Sequence, residues 1–332
     1  MTSKRTEKSG IRALPRRCLR TSRKILCPIH RPATSDTIAQ RPEVTPESES
    51  QLNAARNLER ISPGHATNGG SPQCSEDGSG AYVYVLDSGI NFSNAEFSGR
   101  ALHGANFVPG SPDYDENGHG TQMAGIIGGT THGLAKNCTM ISVKVIDKRG
   151  TGKVECLYQG MRWATDDAIA KGIADKSVMN ISLIWEYSVA VNRAVKKATN
   201  AGITVVVSAG NHGMLVLNCS PASAMTAITV AASGPDNRRA TFSNYGPCVN
   251  IFAPGIHVPT ASSSVNKGSE TSSGTSAAAA HVSGLAAYFI SSENLRGFKA
   301  VRKRILRASL NGVIKDTRWS SNRLAFNGVS RD

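Results

Sequence analysis

Three short segments place side chains that can perform nucleophilic chemistry at the ends of predicted elements. Asp87 follows an apolar strand, His119 lies between two glycines at a predicted helix start, and Ser276 begins an alanine-rich helix. A serine hydroxyl is a weak nucleophile and needs a neighbouring base. Histidine supplies that base near neutral pH, and a carboxylate fixes its tautomer and stabilises the imidazolium. Together the three residues predict a Ser-His-Asp triad.

Each of these residues, taken alone, has a simpler interpretation. An aspartate after a strand is commonly a turn former or helix cap, and a histidine between glycines is commonly an exposed turn residue. A serine before an alanine run is a typical helix N-cap. Only the joint occurrence of Asp87, His119 and Ser276 at element ends favours catalysis.

Further motifs follow in a fixed order, and with the three segments they resemble one known family. The chain contains MNISL at 179–183, SAGN at 208–211, SPAS at 220–223, FSNYG at 242–246 and IFAPG at 251–255. These motifs, and the order Asp, His, Ser, resemble the subtilisin-like serine proteases, most closely the proteinase K branch. The similarity extends from about Asn57 to Gly328. It implies a secreted-type endopeptidase that cuts extended polypeptide substrates through an acyl-enzyme.

Short apolar strands alternate with helical segments through most of the chain. This alternation predicts an α/β fold, a doubly wound parallel sheet with helices on both faces in a subtilisin-like three-layer sandwich. The predicted strands are 82–86, 141–146, 178–183, 203–209 and 227–231, and the predicted helices are 121–128, 155–171, 189–201, 277–290 and 298–308.

The charge of the chain is concentrated at its N-terminus. Of the formal net charge of +14, residues 1–45 supply a large part, because Lys and Arg there far outnumber Glu7, Asp36 and Glu43. We expect residues 1–50 to be a disordered basic tail, a propeptide remnant or the product of a wrongly assigned start. Residues 51–332 are expected to form one peptidase domain. The aromatic content of 5% argues against a nucleic-acid reader built on stacking rings.

The apolar runs and the N-terminal sequence indicate whether the protein is secreted or inserted in a membrane. No apolar run reaches the length of a membrane-spanning helix, so we expect none. The family resemblance implies an extracellular monomer, although no signal peptide is visible in the polar, Arg-rich N-terminus. No nucleic-acid partner is expected.

The resemblance also assigns binding roles. Asn211 is expected to donate to the tetrahedral oxyanion together with the backbone N–H of Ser276. Gly150 and Gly152 belong to a segment that resembles the edge strand pairing with a peptide substrate. Two walls of the pocket for the residue before the scissile bond are expected from Ser182, Leu183, Ile184, Ser208, Ala209 and Gly210.

One departure from the family pattern lies on a predicted pocket wall. The family usually has Gly-Gly after Ser-Leu, whereas this chain has Ile184-Trp185-Glu186. Two bulky side chains there narrow or block the pocket. We therefore expect either a preference for small residues or much weaker cleavage.

Calcium and disulfide expectations follow from the same resemblance. Related enzymes hold calcium near SPAS with a carboxylate before IFAPG, where this chain has Asn250, a poorer ligand for a hard cation. No cofactor is needed for the chemistry, and structural calcium is doubtful. The family pattern also pairs Cys219 with Cys248 if the compartment is oxidising. The seven cysteines are an odd number, so at least one has no partner within the chain.

Two other functions remain open at this point. The first is a catalytically impaired relative that binds peptides or partner proteins, favoured by Ile184 and Trp185 and by the absence of a recognisable propeptide. The second makes the basic tail of residues 1–45 a binder of nucleic acid or anionic surfaces.

Overall fold

The computed structural model describes residues 60–61 and 78–328. The tail predicted for residues 1–50, and with it any role in nucleic-acid binding, lies outside the described residues.

Buried apolar strands form one large, mostly parallel sheet. The central strand β1 (Tyr82–Asp87) pairs in parallel with β3 (Thr139–Lys144) on one side and with β4 (Ser177–Ile181) on the other. The other strands of this sheet are β2 (Ala101–Asn106), β6 (Thr204–Ser208), β8 (Ile228–Ser233), β9 (Val249–Pro254), β12 (Leu310–Asn311) and β13 (Arg323–Leu324). Their order is β12-β13-β9-β8-β6-β4-β1-β3-β2, and only the β12–β13 pair is antiparallel.

Two smaller two-stranded sheets lie outside the large sheet. One pairs β5 (Trp185–Glu186) with β7 (Cys219–Ser220), and the other pairs β10 (Val258–Ala261) with β11 (Ser269–Ser272).

Helices cover both faces of the large sheet. On one face lie α1 (His119–Gly128), α4 (Thr275–Ser292) and α5 (Phe298–Ala308), and on the other lie α2 (Val154–Ala170) and α3 (Val189–Asn200). Successive side chains of a strand point to opposite faces. Accordingly Val83 and Val85 of β1 pack in the first core cluster, and Tyr84 and Leu86 pack in the second. The predicted doubly wound α/β fold is confirmed.

Most element boundaries differ from the predicted ones by one or two residues, as expected for assignments made from sequence patterns. Helix α5 (Phe298–Ala308) has the predicted bounds. Strand β2 was not predicted, because its sequence, ALHGAN, has no continuous apolar run and contains a glycine, and only one of its residues is buried. Strand β9 was also missed, although it carries most of the IFAPG motif.

The topology places Asp87 and two predicted pocket residues at the carboxyl ends of neighbouring strands. Chain order reverses at β1, which lies between β3 and β4, and ligands of such sheets bind beyond the carboxyl ends of the strands at that point. Asp87 ends β1, Ser182 follows β4, and Gly210 follows β6. None of the helices in the described part of the chain combines the length and hydropathy of a bilayer-spanning segment.

Candidate active site

Asp87 and His119 form a close pair at the carboxyl end of β1. Oδ1 of Asp87 lies 2.7 Å from Nδ1 of His119 and also accepts the backbone N–H of Ser88 at 2.8 Å. The Asp87 side chain is 0% exposed and that of His119 is 26% exposed. The carboxylate therefore holds the imidazole with Nδ1 protonated, which leaves Nε2 as the free base.

The environment of His119 acts on its pKa in two directions. Burial lowers this pKa, whereas the charge and hydrogen bond of Asp87 and the charge of Asp115 raise it. The outcome is a His119 pKa above its ordinary value of 6.5. The imidazolium that forms during proton transfer is thus stabilised by two carboxylates.

A carboxylate that the sequence interpretation missed fixes the loop before His119. Asp115 Oδ1 accepts the Ser88 hydroxyl and two backbone N–H groups, and Oδ2 accepts the backbone and hydroxyl of Thr121 at 2.9 and 2.6 Å. Ser88 Oγ in turn accepts the N–H of Gly120 at 2.9 Å. This network joins the end of β1 to the start of α1. The position of Asp115 four residues before His119 was the available signal.

Ser276 occupies the first turn of α4, where its hydroxyl is half-buried. Its Oγ donates to the carbonyl oxygen of Ser182 at 3.0 Å, and Ser182 Oγ donates to the Ser276 carbonyl at 3.1 Å. The paired bonds join the start of α4 to the chain segment after β4. The predicted nucleophile, Ser276, therefore lies directly beside one of the two predicted pocket walls.

Hydrogen bonds to the side-chain oxygen of Asn211 orient its amide group. Asn211 Oδ1 accepts the backbone N–H and the hydroxyl of Thr275 at 2.9 and 2.8 Å, so Nδ2 remains available as a donor. A methyl carbon built on Gly274 would lie 3.1 Å from Asn211 Nδ2 and 3.7 Å from the backbone nitrogen of Ser276. Both predicted oxyanion donors therefore border the same small space, and a glycine at 274 keeps it open.

The two predicted pocket walls touch each other. A methyl carbon built on Gly210 would lie 2.5 Å from Ile184 Cδ1. Gly210 has φ +100°, a conformation that favours glycine, and its N–H donates to Thr275 Oγ1 at 3.0 Å. Ser208 and Ala209 are 2% and 0% exposed, and Leu183 packs partly buried against the second core cluster.

The segment Gly150–Gly152 contains a turn and is not a regular strand, and its expected pairing with a peptide substrate stays a prediction. Gly150 closes a turn through its N–H to the Asp147 carbonyl at 2.9 Å and has φ +71°, outside the strand region. Thr151 donates both its N–H and its hydroxyl to Asp147 Oδ1. The carbonyl of Gly152 accepts the indole N–H of Trp185 at 3.2 Å.

The expected disulfide between Cys219 and Cys248 is not formed, and both residues are buried free thiols. The two sulfur atoms contact different groups. Sγ of Cys219 lies 3.9 Å from Asn244 Nδ2, whereas Sγ of Cys248 lies 3.8 Å from Met225 Sδ. Burial raises the pKa of both thiols, so they remain protonated.

The position expected to contribute a calcium ligand is engaged within the sheet. Asn250 Oδ1 accepts the backbone N–H of Thr229 at 2.9 Å, between β8 and β9. Within residues 60–61 and 78–328, no group of three or more His, Cys, Asp or Glu is placed to hold a metal ion. The residues present at this position do not fit the carboxylate site of the related enzymes.

Comparison with known proteins agrees with the geometry. Residues 78–329 match the sequence profile of the Subtilase family (peptidase S8). Alkaline protease 1 of Aspergillus clavatus is 46% identical over 253 residues, which are 76% of this chain and 62% of the relative. Subtilisin-like protease 2 of Pseudogymnoascus destructans is 46% identical over 254 residues, with the same two coverages.

The fold comparison leads to the same family. The crystal structure of a cold adapted subtilisin-like serine proteinase superposes with a TM-score of 0.75 at 33% identity, covering 84% of this chain and 100% of that one. The chain thus spans 62% of the length of the two curated relatives above. Since the profile covers residues 78–329 and includes Asp87, His119 and Ser276, the chain belongs to the Subtilase family.

Proposed function

We propose that this chain is a serine endopeptidase that hydrolyses peptide bonds in extended polypeptide segments. The observation that carries the proposal is the pair formed by Asp87 and His119, 2.7 Å apart, where His119 begins a helix that packs against the helix in which Ser276 occupies the first turn. Membership of the Subtilase family supports the same reaction.

Acylation begins when Ser276 Oγ turns from the Ser182 carbonyl toward the imidazole and attacks the scissile carbonyl carbon. A C–O bond forms, and the hydroxyl proton passes to His119 Nε2. Asp87 stabilises the resulting imidazolium. The oxyanion accepts hydrogen bonds from Asn211 Nδ2 and the Ser276 N–H. When the intermediate collapses, the C–N bond breaks and His119 returns the proton to the leaving amine.

Deacylation uses the same groups in reverse. Water replaces the amine, His119 takes one of its protons, and the hydroxyl oxygen attacks the acyl carbon. The ester C–O bond then breaks and His119 returns the proton to Ser276 Oγ. Each proton and each developing charge is handled by a residue of the chain, so we propose no cofactor for the chemistry and no calcium at Asn250.

The wider assignments rest on the family resemblance. We propose an extracellular, monomeric enzyme whose peptidase domain is residues 51–332, with residues 1–50 as a separate tail. Its partners are polypeptide substrates.

A fluorophosphonate probe tests the proposed function directly, because it reacts with an activated serine. We expect labelling of the folded full chain and none of Ser276→Ala. The absence of labelling in wild-type protein with a cooperative thermal transition would contradict the proposal.

A second function is supported by the contact of Ile184 with Gly210. If this contact excludes every substrate side chain, the chain is a catalytically impaired relative that binds peptides or partners. Such a protein would bind an extended peptide, measured by calorimetry, without hydrolysing it during prolonged incubation.

A further inference from the structure

The chain segment after β4 lies beside the nucleophile and is firmly held. Ser182, at its start, exchanges two hydrogen bonds with Ser276. Beyond it, β5 pairs with β7, with Trp185 opposite Ser220, and the N–H of Tyr187 donates to the Asn218 carbonyl at 3.1 Å. The residues between these two anchors, Leu183 and Ile184, therefore have little freedom to move away from the cleft.

Ile184 fills the space between this segment and the one after β6. Its Cδ1 lies 2.5 Å from the point that a methyl carbon on Gly210 would occupy, so the two segments are in van der Waals contact. Isoleucine is branched at Cβ and restricted at χ1, so the side chain does not swing aside easily. Ile184 also packs partly buried against the third core cluster, which contains Ala209 and Val216.

Trp185 joins the same segment to a third part of the chain. Its indole N–H donates to the carbonyl of Gly152 at 3.2 Å, across 33 residues of sequence. The indole ring packs partly buried against the second core cluster, which fixes its direction. A peptide that used the Gly152 carbonyl as an acceptor would have to compete with the indole for it.

We propose that Ile184 and Trp185 are specificity-determining residues that act in two different ways. Ile184 restricts the residue before the scissile bond to glycine or alanine, because a larger side chain meets the δ-methyl group. Trp185 lowers the affinity for every peptide to a similar extent, because its hydrogen bond involves backbone that is independent of the substrate side chain. This inference rests on the proposed endopeptidase function.

The test uses four tetrapeptide p-nitroanilides that differ only in the residue before the scissile bond: Gly, Ala, Leu or Phe. We expect the wild-type full chain to cleave the Gly and Ala substrates at least about 100-fold more efficiently than the other two, by kcat/KM. Ile184→Gly is expected to raise kcat/KM for Leu and Phe by about 100-fold and to leave Gly nearly unchanged. Ile184→Val, which removes only Cδ1, is expected to give an intermediate gain.

Trp185→Phe keeps an aromatic side chain and removes the indole N–H. We expect about a fivefold rise in kcat/KM, equal for all four substrates and arising from KM, as for the loss of one competing hydrogen bond. Trp319→Phe is the matched control, because Trp319 is 79% exposed, and no change is expected there.

The outcomes separate this inference from the function on which it rests. If the fluorophosphonate probe labels wild-type Ser276 and Leu or Phe substrates are cleaved as well as Ala, the inference is overturned and the endopeptidase stands. If neither the wild-type protein nor folded Ile184→Gly is labelled, the inference and the endopeptidase function are both overturned. A gain in Ile184→Gly that is equal for all four substrates would also overturn the assignment to Ile184.

Discussion

The two sides of the cleft are built from different interactions. Around His119, directional hydrogen bonds dominate: Asp115 accepts five of them and Asp87 accepts two, and together they join β1 to α1. Around Ile184, the main interactions are apolar contact with Gly210 and the short β5–β7 pairing.

This difference separates chemistry from selectivity. Hydrogen bonds specify direction, which a base must have in order to receive a proton along one line. Apolar contact specifies volume, which a pocket uses to accept or reject a side chain. Because the two sides have few groups in common, we expect substitutions on the first to lower kcat and substitutions on the second to change substrate preference.

The largest effect is expected at Ser276, whose hydroxyl bonds to Ser182, two residues before Ile184. Ser276→Ala removes the proposed nucleophile, and kcat should fall about a millionfold, the loss known for the nucleophile of a triad protease. Active-site titration and peptide hydrolysis measure this loss. Ser264→Ala, at an exposed serine, should retain wild-type activity. Substantial hydrolysis by Ser276→Ala would assign the nucleophile elsewhere.

On the hydrogen-bonded side, Asp87→Asn should lower kcat about 10,000-fold, because the amide stabilises the wrong tautomer. His119 must be neutral to accept a proton, and its pKa lies above 6.5. Activity of the wild-type enzyme should therefore fall as the pH drops through that raised pKa.

The pH profile of kcat/KM supplies the control for this variant. Without the Asp87 charge the pKa of His119 decreases, so the acid limb of Asp87→Asn should move to lower pH. An acid limb at the same pH in both proteins would show that Asp87 does not set the pKa of His119.

Asn211→Ala tests the oxyanion donors, and kcat should fall about 100- to 1,000-fold with little change in KM. The amide stabilises charge that develops only in the transition state, so the affinity for substrate changes little. Asn311→Ala, at an exposed asparagine, is the matched control. A loss confined to KM would argue that Asn211 only shapes the cleft.

Thr275 joins the proposed oxyanion donor to the segment beside Ile184, since its hydroxyl donates to Asn211 and accepts the N–H of Gly210. Thr275→Val keeps the shape of the side chain and leaves the buried N–H of Gly210 without a hydrogen-bond acceptor. The free energy of unfolding should decrease by about 1–3 kcal/mol and kcat by about tenfold. Thr275→Ser retains the hydroxyl and should remain close to wild type in denaturant unfolding and in kcat. A loss in Thr275→Ser with none in Thr275→Val would assign the effect to the methyl group instead.

The fold and the family could be predicted from the sequence because their signals are local. Buried strands such as β4 and β6 read as short apolar runs, and the motifs around Asp87, His119 and Ser276 are contiguous. Polar edge strand β2 was missed because its stability depends on its neighbour β3 and not on its own apolar pattern.

The sequence by itself determined the types and the order of the candidate catalytic residues and the replacement of two glycines by Ile184 and Trp185. Only the tertiary structure decided where those two side chains go, toward Gly210 and the Gly152 carbonyl. It also decided that Cys219 and Cys248 contact different neighbours, and that Asp115 holds the loop before His119. The reason is physical: each depends on how distant backbone segments approach, and that is set by the packing of the whole sheet and its helices.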